Sequence, residues 1–164
     1  MNLDLKIQPA TAGDVPAILS FIRGLAEFEK LSHRVSATEE KLRETLFGHR
    51  RYAEVLIARL SGQPVGQALF FHTYSTFMAQ PGIYLEDLYV LPEHRSRGIG
   101  LALLKSLARV ARQRNCGRLE WAVLDWNERA ISFYRRIGAD VLPDWRICRV
   151  DEETIQKLAG QEVE

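Results

Sequence analysis

The chain has 164 residues, a length that fits one domain, and we expect a single domain over residues 1–164. Hydrophobic residues make up 46% of the sequence and charged residues 26%, which is typical of a folded, water-soluble protein. No apolar run approaches the roughly 20 residues of a membrane span, and the first nine residues lack the apolar segment of a signal peptide. These features predict a cytoplasmic protein with no membrane partner.

The formal net charge of +1 hides an uneven distribution along the chain. Residues 95–149 hold 12 basic and 5 acidic groups, a balance of +7, whereas residues 150–164 hold 1 basic and 5 acidic groups, a balance of −4. The basic stretch predicts an anionic partner, with a solvated arginine-rich face as the alternative for any single arginine. Nucleic acid is disfavoured because most of these arginines fall in helical patterns without aromatic stacking residues.

The cysteines and histidines indicate neither a disulfide framework nor a metal site. Cys116 and Cys148 have no CxxC spacing, and the four histidines are scattered without an HExxH-like pair. Cys116 also lacks the sequence setting of a nucleophile, so no covalent intermediate is predicted. We therefore expect no metal.

Hydrophobic periodicity predicts alternating strands and helices. In chain order these are a strand over 3–8, a helix from a cap at Thr11 to about Leu31, a helix over 38–48, strands over 52–60 and 65–74 joined by a turn at 61–64, a strand over 83–90, a helix over 98–115, a strand over 118–124, a helix over 127–137 ended by Gly138, a strand over 145–150 and a helix over 151–158. This order predicts a mixed α/β chain with a central hairpin followed by β-α-β-α units.

A glycine-containing loop carries the clearest chemical signal. The strand that ends at Val90 runs into a short loop, and the motif Arg95-x-x-Gly98-x-Gly100 then opens a long helix. The glycines let the backbone approach an anion closely, and the free N–H groups and dipole of the helix start favour phosphate. Arg95 and Arg97 add charged, forked donors. The sequence therefore predicts a pyrophosphate-binding loop.

Two other glycine loops do not fit this segment. A P-loop requires Gly-Lys-Ser/Thr, whereas Leu101 follows Gly100 here. A dinucleotide fingerprint requires a third small residue at the position of Leu103. A plain helix start with two glycines stays open as the structural alternative.

The glycine motif resembles the acetyl-CoA motif of the GNAT superfamily of N-acetyltransferases. The resemblance extends over nearly the whole chain and is greatest to the diamine acetyltransferase family, which acts on spermidine, spermine and thialysine. The segments that carry it, besides the glycine motif, are Ile7–Thr11, Leu25–Glu29, Tyr84–Asp87 and Trp126-Asn127 with Phe133-Tyr134. Ser96 departs from the family's usual glycine, but the spacing of the motif is kept.

The resemblance implies a fold and an activity. The fold is α/β (α+β), with a mostly antiparallel sheet, helices on both faces and a central acetyl-CoA cleft. The activity is acetyl transfer from acetyl-CoA to the primary amine of a small cation of polyamine, diamine or thialysine type, by a homodimer. Ser75-Thr76-Phe77 and Leu124–Asn127 look more like the thialysine branch. The alternatives are acetylation of a protein lysine or N-terminus, and a non-catalytic acetyl-CoA sensor.

Two residues are predicted to be catalytic. An alkylamine has a pKa near about 10.4 and must lose a proton before it attacks a thioester. The resemblance makes Tyr134 the acid that protonates the leaving thiolate, with a tyrosine that only packs in the core as the alternative. Glu86 is predicted to be a water-linked base and an amine anchor, because a carboxylate in an apolar strand needs a partner. Strand alternation points Asp87 the other way, and an exposed carboxylate is the alternative for Glu86.

The resemblance also implies the binding residues. Those for the cofactor are Leu88, Tyr89, Val90, Arg95, Ser96, Arg97, Gly98, Ile99, Gly100, Leu101, Asn127 and Ala130. The amide of Leu88 is the predicted oxyanion donor, and a plain helix cap is the alternative for Asn127. The candidate amine contacts are Phe28, Glu29, Glu86, Asp125, Trp126 and Asp144. Carboxylates and an aromatic face suit a cationic amine, although each carboxylate alone is more often a surface charge.

Overall fold

The computed structural model describes residues 4–160, so Leu3, the first residue of the first predicted strand, lies outside the described residues. The chain divides into two compact units, residues 1–122 and residues 123–164. Within the described residues, the first unit contains the sheet and three α-helices, and the second contains two short α-helices. The mixed α/β architecture predicted from periodicity is confirmed.

A five-stranded sheet forms the first unit, in the order β1-β2-β3-β4-β5. The strands are β1 Leu5–Pro9, β2 Glu54–Leu60, β3 Gln63–Ser75, β4 Gln80–Val90 and β5 Leu119–Glu120. The first four strands are antiparallel to their neighbours, and β5 is parallel to β4. The predicted turn at 61–64 is narrower, because only Ser61 and Gly62 form it, both with positive φ (48° and 83°), as a tight hairpin turn requires.

Three helices pack on the sheet: α1 Val15–Phe28, α2 Glu39–Phe47 and α3 Ile99–Gln113. The predicted start at Thr11 is a capping box in which the Thr11 amide donates to Asp14 at 2.8 Å, and one 3₁₀ turn precedes α1. Asp14 is also ion-paired with Arg59 of β2, which ties this turn to the sheet.

The helices cover both faces of the sheet. The apolar stripes of α1 and α2 pack on the face that carries Val55 and Ile57 of β2. The neighbouring residue Ala58 points to the opposite face and pairs with Ile7 of β1. Ile7 lies beside α3, so α3 covers that second face.

The second unit contains α4 Glu128–Arg136 and α5 Glu152–Ala159. Each helix begins at a capping residue: Asn127 accepts a hydrogen bond from the Ala130 amide at 3.2 Å, and Asp151 accepts one from the Thr154 amide at 2.9 Å. Gly138, with a φ of 91°, follows the end of α4 as predicted. Over residues 4–160 no helix is long and apolar enough to cross a membrane.

Two strand predictions are wrong. The strand predicted over 118–124 is reduced to the two residues of β5, and residues 145–150 form no strand. A strand exists only when a neighbouring strand takes up its hydrogen bonds. In this segment Trp145 and Ile147 are 77% and 71% exposed. The β-type alternation is present in the sequence, but within the second unit, as far as it is described, nothing pairs with it.

Candidate active site

A β-bulge at Glu86 shapes the acidic part of the site. On β3 the neighbouring residues Leu69 and Phe70 pair with Asp87 and Leu85 of β4, so Glu86 is skipped in the register. A bulge inserts one extra residue and re-aims the side chains around it. The regular alternation that pointed Asp87 away from Glu86 therefore does not hold, and that prediction is wrong.

Three carboxylates gather at this bulge: Glu86, Asp87 and Glu29, which follows the end of α1. Burial raises the pKa of Asp87 to about 6, and the charges of Glu86 and Glu29 add to that effect. Burial, followed by the charge of Glu86, also raises the pKa of Glu29. Among the described residues no lysine or arginine forms an ion pair with any of the three. Their shared negative charge therefore favours a positively charged ligand.

Sequence reasoning included Glu29 and Glu86 but missed Asp87. Asp87 is half-buried, while Glu86 is exposed. The adjacent pair Glu86-Asp87 within an otherwise apolar strand was the signal that could have found it. Two acids in succession cannot both follow the alternation of a strand with one polar face, so one of them must lie at an irregularity.

Arg95 contacts both the end of β4 and the end of α1. Its Nε donates to the Val90 carbonyl at 2.8 Å, and its guanidinium lies 5.4 Å from the ring centres of both Phe28 and Tyr89. These contacts involve the Nε and the planar face of Arg95, and its role as a phosphate donor stays a prediction. Phe28, a predicted amine contact, is held beside Glu29 by this stacking.

The side chain of Tyr89 is part of the core. It is buried, its ring centre lies 5.9 Å from that of Phe21, and it packs so closely on Gly24 that a Cβ there would collide with its hydroxyl. A contact from Tyr89 to a ligand would therefore come from its backbone.

The backbone of β4 is open along its second half. Pairing with β5 covers only Ile83 and Tyr84 among the described residues. From Leu85 to Val90, the peptide groups that point away from β3 receive no partner from β5, and of these the Val90 carbonyl is taken up by Arg95. Unpaired strand groups of this kind bind amides and carbonyls of an extended ligand, and the predicted oxyanion donor Leu88 lies in this stretch.

The glycine loop has the geometry of an anion site. Gly98 caps α3 with a φ of 79°, a left-handed conformation that suits glycine, and α3 begins at Ile99. A Cβ added at Gly98 or Gly100 would have no atom within 4 Å, so the space in front of the first helical turn is open. The protein's own packing does not need these glycines to be small, which fits a loop that receives a phosphate group.

Ser96 also has a positive φ, of 63°. Glycine adopts that conformation without strain. Serine occupies it here at a modest conformational cost.

The second unit holds the other predicted residues. The Tyr134 ring centre lies 5.4 Å from that of Phe133, and burial raises the pKa of the Tyr134 hydroxyl. Asn127 caps helix α4, which is the alternative that the sequence left open for this residue. Asp125, Trp126 and Asp144 are exposed. A neutral tyrosine hydroxyl retains its proton at physiological pH, which suits a proton donor.

A metal site does not emerge from this geometry. Within residues 4–160 no three His, Cys, Asp or Glu side chains are grouped to hold an ion.

Comparison with known proteins agrees with this geometry. The model of the Acetyltransferase (GNAT) family matches residues 22–139. Thialysine N-epsilon-acetyltransferase from Bos taurus is 41% identical, covering 96% of this chain and 98% of that protein. L-ornithine N5-acetyltransferase from Arabidopsis thaliana is 31% identical, covering 93% and 87%. The solved structure of an integron cassette protein from V. cholerae has a TM-score of 0.81 at 24% identity, covering 98% and 100%.

The chain therefore belongs to the GNAT family of acetyltransferases. It is an N-acetyltransferase that uses acetyl-CoA to acetylate a small amine. The fold and the family match define the class of enzyme.

Proposed function

We propose that this enzyme acetylates the terminal amine of a thialysine-type or diamine-type cation. The observation that carries the proposal is the group of three carboxylates at the β4 bulge, which have no basic partner among the described residues. A substrate with one or more ammonium groups offsets their charge. Two relatives support the same choice, since one is named as a thialysine acetyltransferase and the other as an L-ornithine acetyltransferase.

The acidic residues have separate tasks in this proposal. Glu29 and Asp87 attract the cation, and Phe28 forms an apolar wall. Glu86, exposed at the bulge, accepts a proton from the amine through water, so that a neutral amine can attack the thioester carbon. Attack forms the C–N bond and moves the carbonyl electrons onto oxygen, where the amide of Leu88 holds the oxyanion. The oxyanion then collapses, the C–S bond breaks, and the nitrogen loses its remaining extra proton to water.

Tyr134 then gives its proton to the departing thiolate. Its high pKa keeps the proton on the hydroxyl until a strong base appears. Asp125, Trp126 and Asp144 supply further contacts to the substrate cation.

For the cosubstrate, the amides from Ser96 to Leu101 hold the pyrophosphate, and Arg97 adds charge. The backbone of residues 88–90 contacts the pantetheine arm. Asn127 and Ala130 supply contacts from the start of α4. We further propose that the reaction needs no metal, because the amides and Tyr134 supply the stabilisation and the proton.

We also propose that the enzyme is a cytoplasmic homodimer that binds no nucleic acid. The exposed apolar side chains of Leu142, Trp145 and Ile147 support a second copy, since a surface of this kind favours burial against a partner. The unpaired extended backbone of residues 145–150 is available to a strand of that copy.

A substrate panel tests the proposal. The rate over Michaelis constant is measured for thialysine, ornithine, lysine, spermidine and an N-terminal peptide, with the parent and a Glu86→Gln variant. We expect small cations to be preferred and Glu86→Gln to lose roughly 10²–10⁴-fold. The exposed Glu44→Gln on α2 is the matched control. A preference for the peptide would identify a protein acetyltransferase, and no turnover with any amine would indicate a sensor.

A further inference from the structure

A second surface of the first unit has no assigned role. An open groove of about 300 Å³ runs between β1 and α3. Its floor is apolar, from Leu5 and Ile7 of β1 and Ala102 of α3, and its rim is formed by Lys105, Ser106 and Arg109 of α3.

The rim of the groove carries unpaired positive charge. Lys105 and Arg109 are exposed, and over residues 4–160 neither forms an ion pair with a carboxylate. The Arg109 guanidinium donates to the Ser106 hydroxyl at 3.5 Å. Like charges four residues apart on a helix repel each other. An acidic, partly apolar occupant would remove that repulsion and cover the floor.

The chain itself contains a segment with the complementary character. On α5, Ile155 and Leu158 are 51% and 56% exposed. By helical periodicity Glu152 lies on the same side as Ile155, three residues away. Glu153 lies on the opposite side, where it is paired with Lys157 at 2.6 Å. The apolar face of α5 therefore presents unpaired negative charge at its first turn.

We propose that the groove between β1 and α3 receives α5 of a second copy of this chain. In this contact Glu152 meets Lys105 and Arg109, and Ile155 and Leu158 cover the apolar floor. The lengths agree, since α5 and the stretch from Ala102 to Arg109 each contain eight helical residues and so span about 12 Å. The inference rests on the homodimer proposed above and names a surface that holds it together.

Charge reversal and its rescue test the contact. The dimer dissociation constant of the full chain is measured by analytical ultracentrifugation for the parent, Arg109→Glu, Glu152→Arg and the double variant. Each single variant places like charges together, and we expect dissociation to rise roughly 3–10-fold. The double variant restores an opposite pair between copies and is expected to return to within about twofold of the parent.

Two matched controls separate the contact from general charge effects. Arg112→Glu changes an exposed residue of α3 that does not line the groove, and Glu153→Arg changes the far side of α5. Both are expected to leave dissociation unchanged. Because the four positions are exposed, thermal melting checks that every variant folds.

The possible failures are distinguishable. A parent dimer that neither single variant weakens would overturn the α5 contact and leave the homodimer standing. Equal weakening by the controls, or no rescue in the double variant, would also overturn it. A monomeric parent at all accessible concentrations would overturn the homodimer and the contact together. Turnover with thialysine is measured in parallel and tests the proposed activity independently.

Discussion

The two units of this enzyme differ in how they are held together. The first unit surrounds a sheet with three helices, and its buried side chains lie on both faces of that sheet. In the second unit, Ile131 is the only buried hydrophobic side chain among the described residues. A sheet with helices on both faces stabilises itself, whereas two short helices and an extended segment bury too little apolar surface to do so.

The predicted catalytic and binding residues are distributed over both units, whereas most buried side chains lie in the first. The glycine loop, the open edge of β4 and the carboxylates belong to the first unit, while the predicted proton donor Tyr134 belongs to the second. The poorly packed unit therefore carries the residue that we propose as the proton donor. Changes there should affect catalysis much more than stability, and changes in the first unit's core should do the reverse.

The largest expected effect is that of Tyr134→Phe. The variant keeps the ring beside Phe133 and removes only the hydroxyl, so turnover should fall roughly 10²–10⁴-fold. The free energy of unfolding should change by no more than about 0.5–1.5 kcal/mol. Steady-state rates and melting temperature, measured on one purified variant, check both. If turnover stayed within a few-fold of the parent, Tyr134 would have no part in the mechanism.

The next effect compares the packing of the two units directly. Leu107 on α3 is fully buried, and Leu107→Ala should lower the free energy of unfolding by about 2–5 kcal/mol. The same truncation at the exposed Ile147 should cost less than about 0.5 kcal/mol at protein concentrations where the chain is monomeric. Urea unfolding of both variants measures the difference, and equal losses would mean that the units do not differ in packing.

The glycine loop should respond to side-chain size in a way that the β2–β3 turn does not. Gly98 and Gly62 both have positive φ and open space where a Cβ would stand. Gly98→Val and Gly62→Val should therefore lose similar stability. Only Gly98→Val should also weaken acetyl-CoA binding, by ~10–100-fold if one charge-assisted hydrogen bond of about 1.5–3 kcal/mol is lost.

Calorimetric titration with acetyl-CoA measures this difference. If both variants bound as tightly as the parent, Gly98 would be a plain helix start and the loop would not hold the pyrophosphate.

The smallest expected effect concerns the pH dependence of stability. The pKa of Asp87 is about 6 in the folded protein, above the ordinary value of 3.8. The folded state therefore holds this proton more tightly, and stability falls as the pH rises from about 4 through about 6. Asp87→Asn cannot ionise, so it removes this loss of stability at high pH. The free energy of unfolding at pH 7.5 should therefore rise by about 1–2 kcal/mol, after allowance for solvent screening.

At pH 4, where Asp87 is protonated, the variant and the parent should be equally stable. The exposed Asp140→Asn serves as the control and should show no pH-dependent difference. The same Asp87→Asn variant should raise the Michaelis constant for a cationic amine. A gain in stability that was equal at both pH values would contradict the assigned role of burial.

Some features could be predicted because their signals are local. The apolar stripe of α3 and the predicted helix starts at Thr38, Asn127 and Asp151 lie within one or two residues of the observed helix boundaries. A helix closes its hydrogen bonds within its own segment, so periodicity and capping residues are enough to predict it. The glycine loop was recognisable for the same reason, since its chemistry lies in six consecutive residues.

Other features depended on residues far away in the chain. The third carboxylate was missed because the bulge at Glu86 exists only in the register between β3 and β4. The strand predicted over 145–150 failed because alternation shows that a segment can pair, not that a partner is present. Nor could any pattern show that the Arg95 guanidinium stacks between Phe28 and Tyr89, since three separate elements bring them together.

By itself the sequence determined the helices, their caps, the glycine loop that begins α3 and the resemblance that predicted acetyl transfer. These follow from short-range hydrogen bonding and from the spacing of neighbouring residues. Only the tertiary structure decided where β5 ends, which carboxylates share the bulge and which peptide groups of β4 stay open. Each of these depends on pairing between strands, and a strand obtains its hydrogen bonds from another part of the chain.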